Sequence, residues 1–253
     1  MKSLVFLGNK EIGYKTLEYL IDNSSSLGLD ISACMTADKM LGETDCSITG
    51  LCRDAGINTI VSLDELIGLP KVDIIISVQF HQILKKEHIE KARQIAVNLH
   101  MAPLPDYRGC NQFSFAILDR AKEFGTSLHR IEQSVDAGAL MFEKRFKVPD
   151  NCFVSELYKL TFEHSLKLFK ERIWNIINGN YELIPQDALL TKRTTSFHYR
   201  KEIEKIKNID MKWDKEKIMR HFRATYFPPF PNPYYLKDGK RVFLDMEWYN
   251  RFK

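Results

Sequence analysis

Three features of the sequence predict an α/β fold built on a mostly parallel sheet. Short apolar runs recur through the first hundred residues: LVFLG (4–8), LDISACMT (29–36), NTIVS (58–62), VDIIISV (72–78) and IAVNLH (95–100). Segments with helical spacing separate them. The runs are continuous in Val, Ile and Leu rather than alternating, as strands covered on both faces are.

The elements follow in order. LVFLG reads as a strand closed by Gly8, and residues 12–22 place apolar residues at helical spacing. After the strand at 29–36, residues 46–56 read as a helix stopped at Gly56. The strands at 58–62 and 72–78 precede a helix expected over 85–94, and the run at 95–100 closes the series. Residues 111–121 are expected to be helical, 126–133 and 139–148 to be strands, and 154–179 to be a long amphipathic helix ending at Gly179. Beyond Gln186 the chain turns basic and aromatic. That region carries one helix (214–224), a proline-rich turn, and the hairpin signal Asp238-Gly239 between YYLK and KRVFL. The Lys/Glu stretch 201–207 reads as a solvated surface. These features divide the chain into a catalytic domain over 1–187 and a small C-terminal region over 188–253.

Composition narrows the function classes. The formal net charge is +4, which permits an anionic ligand without demanding nucleic acid. Cys34, Cys46, Cys52, Cys110 and Cys152 are scattered with no CxxC pair. That pattern argues against a disulfide framework or a cysteine zinc site and leads us to expect a reducing, cytoplasmic setting. No stretch approaches the roughly 18 apolar residues of a membrane span, and no leader is expected.

Open parallel sheets bind ligands at the carboxyl ends of their strands, where Gly8, Gln79, Asn98 and His100 lie. The first turn, LGNKEIG, lacks both GxGxxG and GK[ST]. It reads as a βα turn or as a phosphate site formed by Asn9, Lys10 and the helix start. The segment SVQFHQIL leaves the fourth strand. Its polar residues either cap the next helix or expose the backbone of His81, Gln82, Ile83 and Leu84 to a flat heterocycle. Asn98 and His100, two residues apart, share one side of a strand. Asp136 follows in a glycine-containing loop. An amide donor, an imidazole and an orienting carboxylate supply what acyl transfer to nitrogen needs. With no Ser or Cys nucleophile placed beside them, the attacking group belongs to the substrate. His100, His129 and Asp136 also have the types of zinc ligands, but their spacing fits no zinc motif, and no metal is expected.

The motifs NLHMAPLPDYRG and GTSLHRIEQSVDAGAL resemble those of the folate-dependent formyltransferases, in order, from Gly8 to about Val148. The resemblance implies a Rossmann-like domain, 10-formyltetrahydrofolate as cosubstrate and Asn98, His100 and Asp136 as catalytic residues. It also implies that His81, Gln82, Ile83 and Leu84, with Asp136, hold the folate. The short tail containing FPPF is most similar to the sugar N-formyltransferases, which act on dTDP- or GDP-linked dideoxy amino sugars for cell-surface polysaccharide. It departs from them in PNPYY after that motif. Asn9, Lys10, Gln79, Tyr107, Arg108, Tyr226 and Phe230 are the substrate-binding candidates; a homodimer through the hairpin is expected, with docking of the hairpin on its own first domain as the alternative. Methionyl-tRNA and glycinamide ribonucleotide formyltransferases are the alternatives within the family. The former carry a C-terminal barrel longer than the roughly 60 residues left here can build. A nucleotide-binding module with an inactive triad is the non-enzymatic alternative.

Overall fold

The structure, a computed structural model, describes residues 1–37 and 47–253. Cys46, the first residue of the helix expected over 46–56, lies outside the described residues. The chain runs β1 (Lys2–Gly8), α1 (Lys10–Asp22), α2 (Ser24–Leu27), β2 (Leu29–Met35), α3 (Ile48–Asp54), β3 (Thr59–Ile60), α4 (Leu63–Gly68), β4 (Val72–Val78), α5 (Lys86–Ile89) and β5 (Ala92–His100). Next come β6 (Arg108–Gly109), α6 (Gln112–Leu118), β7 (Glu123–Arg130), β8 (Leu140–Lys147) and α7 (Val154–Ile177). The C-terminal region holds a 3-10 turn (Gln186–Leu189), β9 (Phe197–His198), α8 (Glu202–Lys207), α9 (Lys215–Thr225), a hairpin of β10 (Tyr234–Lys237) and β11 (Lys240–Phe243), and α10 (Met246–Phe252).

The central sheet has seven strands in the order β3-β2-β1-β4-β5-β7-β8. The pairs from β3 to β5 are parallel, whereas β5–β7 and β7–β8 are antiparallel. Strand order reverses between β1 and β4, which opens a crevice at their carboxyl ends.

The two faces are covered unequally. Leu4, Phe6, Ile74, Ile76, Val97 and Leu99 pack with residues of α1 and the long helix α7 in one core cluster. Val5, Leu7, Ile75 and Ala96 face a smaller cluster that includes Leu66 of α4 and Leu84. Ala96, Asn98 and His100 share one strand parity, so both polar residues emerge on this thinly covered face, just beyond its last apolar residue.

Several expectations are corrected. Residues 85–94 form only the short α5, and β5 already begins at Ala92. Ala92 pairs with Val72, and Arg93 ion-pairs with Asp73 across the sheet (3.1 Å), so the ladder wins over local helix propensity. The strand expected over 126–133 starts earlier, at Glu123, because Glu123 pairs with the end of β8 at Lys147. Helices α4 and α10 and the two-residue pairing of β6 with β9 had no clear sequence signal. Within the 201–207 stretch, Lys207 is buried rather than solvated. The hairpin turn falls on Asp238 and Gly239, both with positive φ, as a type I′ turn requires.

Candidate active site

His100 ends β5 and is 6% exposed; its Nε2 lies 2.8 Å from the Tyr107 carbonyl oxygen. A carbonyl only accepts, so Nε2 carries the proton. The other ring nitrogen, Nδ1, faces Asp136 Oδ1 at 3.6 Å. His129 stands directly across the antiparallel ladder from Asn98. Its Nδ1 donates to the Arg130 carbonyl (2.9 Å), and its Nε2 faces both Asn98 Nδ2 (3.1 Å) and the same Asp136 oxygen (3.6 Å). The second Asp136 oxygen accepts from the Gly109 N–H at 3.0 Å.

One carboxylate thus sits between two imidazoles whose other nitrogens are already committed to carbonyls. Burial pushes the Asp136 carboxyl upward. The charge of His100, the hydrogen bond and charge of His129, and the Gly109 N–H outweigh that and hold it well below the usual carboxylate range. A proton on either facing nitrogen turns the contact into an ion pair. If it rests on His100, Asn98 donates its amide to His129 as placed. If it rests on His129, Asn98 must turn its oxygen to that ring, and its N–H₂ is released toward the open face. Proton position and amide orientation are therefore coupled.

Two glycines make the arrangement possible. A Cβ on Gly138 would overlap the Arg130 carbonyl oxygen, and one on Gly109, which has positive φ, would overlap that of His198. Gln186 fastens the Asp136 loop by donating to the Asp136 and Gly138 carbonyls, both at 2.8 Å. Buried Ser127 accepts from Leu104 N–H (3.0 Å) and donates to the Ala102 carbonyl (2.8 Å), which pins the proline loop beside His100.

The structure places the remaining candidates as follows. Asn9 uses its side chain to tie strand ends together. It donates to the Gln79 carbonyl (3.2 Å), meets His81 Nδ1 (3.2 Å) and accepts from Ala37 N–H (2.7 Å). Lys10 donates to Gln79 Oε1 at 2.9 Å, and both residues have positive φ. Desolvation and the nearby Arg200 lower the Lys10 ammonium. Among the described residues, no peptide group from His81 to Leu84 makes a backbone hydrogen bond; Ile83 is exposed and Leu84 is buried. Tyr107 turns its ring onto Phe124 and its hydroxyl to Asp119 (3.2 Å), so it is its carbonyl that meets His100. Arg108 has a buried Nε without a partner among the described residues. Tyr226 stacks on Phe222 in the C-terminal cluster (5.0 Å), and exposed Phe230 meets the edge of Phe227 (5.6 Å). Among the described residues, no group of three or more His, Cys, Asp or Glu is placed to hold a metal ion.

His129 was visible in the sequence only as a possible metal ligand. The signal that could have found its present role is antiparallel pairing of residues 126–133 with 95–100, which sets it opposite Asn98.

Residues 61–173, a span that takes in all four side chains of this constellation, match a family described as formyl transferase. That span is similar to a formyl transferase domain. A GDP-perosamine N-formyltransferase of Brucella melitensis is 30% identical over 172 residues, 68% of this chain and 64% of that protein. The chain thus spans a little under two thirds of that relative's length. A methionyl-tRNA formyltransferase of Lactobacillus gasseri is 28% identical over 95% of this chain and 77% of its own. A sugar 3N-formyl transferase solved in the presence of dTDP and 5-N-formyl-THF superposes with a TM-score of 0.78 at 25% identity, covering 96% of this chain and 85% of that one. Asp136 lies within the matched span.

The depressed Asp136 carboxyl has a consequence for stability. The unfolded carboxyl, near about 3.9, takes up its proton first as pH falls. The stabilisation is complete above about pH 5 and is lost as pH drops below about 4. Urea midpoints of the wild type are expected to fall more steeply between about pH 5 and 3 than those of Asp136→Asn, and parallel profiles contradict the assignment.

Proposed function

We propose that this chain transfers a formyl group from 10-formyltetrahydrofolate to the amino group of a dTDP- or GDP-linked dideoxy amino sugar. The observation that carries the reading is the Asn98, His100, His129 and Asp136 constellation at the open end of β5. Likeness to a sugar 3N-formyl transferase along nearly the whole chain, C-terminal appendage included, supports the acceptor class.

The folate supplies a formyl carbon already bonded to nitrogen. The free peptide groups of His81 to Leu84, above the apolar floor of Leu84, suit its flat polar ring. Asn98 offers an amide N–H to the formyl oxygen as that oxygen gains charge, and removing one such donor typically costs on the order of a hundredfold in rate. His100 can offer its Nε2–H to the same oxygen only by exchanging it for the Tyr107 carbonyl. Neutral His100 takes up the proton the attacking amine must lose, and Asp136 stabilises the imidazolium that forms; that proton passes to the folate nitrogen as its bond to the formyl carbon breaks and tetrahydrofolate leaves. Arg108, with its unpartnered Nε, and Lys10 suit a diphosphate.

Full-length alignment with a methionyl-tRNA formyltransferase favours a second reading. Against it, the whole chain carries only +4, whereas a tRNA acceptor calls for an extended basic surface. Tetrahydrofolate release with dTDP- and GDP-linked amino sugars, run beside initiator methionyl-tRNA, decides between them. Faster turnover of one such sugar is expected, and faster turnover of the tRNA than of every sugar overturns the proposal.

The same reading places the enzyme in the cytoplasm, supplying surface polysaccharide such as O-antigen, and makes it a homodimer. Supporting the dimer, β10 and β11 form a sheet of only two strands with Leu236 and Phe243 exposed. A chain ending at Asn232 is expected to sediment as a monomer, and one that remains dimeric contradicts the hairpin interface.

A further inference from the structure

A cavity of about 310 Å³ lies between the end of α6, helix α9 and the loop joining β8 to α7, and it shares no residue with the His100–Asp136 site. Its wall is rich in cations: Arg120, Lys122, Arg220 and Arg223. The carboxylates beside them are two. Glu216 is fully used, accepting from Arg120 (2.7 Å) and from Arg220 at both oxygens (2.7 and 2.9 Å). Asp150 is exposed on the loop. Cys152 adds no charge, because burial and the nearby Glu156 push its thiol up to about 11.

Arg223 differs from the other three. It is only 8% exposed, and among the described residues no carboxylate pairs with it. Among the described residues its buried Nε has no hydrogen-bond partner, and the one side-chain hydrogen bond it makes is from Nη1 to the Tyr249 hydroxyl at 3.5 Å, the far limit of such a bond. A guanidinium has five N–H donors and cannot neutralise itself by releasing a proton. A buried charge so poorly satisfied is costly unless an anion completes it.

We propose that this cavity binds a phosphate-class anion, with Arg223 as its buried anchor and Lys122 and Arg120 at its rim. A planar guanidinium fork matches phosphate oxygens in pairs, and the cavity has room for the anion and several waters. Free phosphate and the terminal phosphate of a nucleoside diphosphate present the same chemistry.

Thermal unfolding and calorimetry of the full chain, with inorganic phosphate and with dTDP as separate probes, test the site. Phosphate on the order of 10 mM is expected to raise the wild-type Tm by about 2–4 °C. Arg223→Met is expected to abolish that rise while leaving the Tm in phosphate-free buffer unchanged or higher, since it removes an unpaired buried charge. Lys122→Glu, at an exposed position, is expected to weaken phosphate at least about fivefold. Loss of the dTDP response in Arg223→Met makes the nucleotide the occupant; its retention leaves free phosphate. Absence of any phosphate response in the wild type overturns the proposal. So does an unchanged response in Arg223→Met or, should that variant fail to fold, in Lys122→Glu.

Discussion

Asp136 gathers three stretches of chain onto one carboxylate. One oxygen faces His100 from β5 and His129 from β7; the other takes the backbone N–H of Gly109, at the end of the proline loop. Each imidazole is backed by a carbonyl that fixes which nitrogen turns inward. Were Asp136 neutral, two ring nitrogens would converge on a group unable to hold a cation. Ionised, it keeps a positive charge beside the atoms where negative charge has to develop. The position of Asn98 depends on the same carboxylate through His129.

The surrounding fold protects this convergence. Asp136 adopts positive φ in a loop held by Gln186, and Gly138 lets that loop lie against Arg130. The proline loop is fastened twice from the C-terminal side. Arg193 donates to the Leu104 carbonyl and pairs with Glu143, and the chain around Ser196 and His198 hydrogen-bonds to Arg108 and Cys110. The segment after Gln186 is therefore a brace for the site as well as a carrier of the hairpin. Apart from the Arg193 and Ser196 side chains it works through backbone groups, whose pairing leaves no mark on residue type.

Much of the fold was legible in sequence because burial dictates apolar runs. The strands from β1 to β5 and helix α7 are fixed by continuous Val, Ile and Leu or by helical periodicity, and the hairpin by Asp238-Gly239. The elements that escaped were decided by partners far away in sequence. Ala92 to Gln94 look helical but extend along Val72, and β6 exists only because β9 comes back to pair with it. At the site, Asn98, His100 and Asp136 stood out as polar residues at a strand end and in a glycine loop. His129 did not, since its meaning comes from cross-strand register. Tyr107 was a substrate-binding candidate, and in the structure its ring packs on Phe124 while its carbonyl faces His100.

If Asp136 acts through His100, the two cannot lose their effects independently. Single-turnover formyl transfer by His100→Ala, Asp136→Asn and the double variant measures this directly. The double variant is expected to be no more than about threefold slower than the slower single variant. A rate reduced by the product of the two single losses would show independent roles and contradict the coupling through this carboxylate.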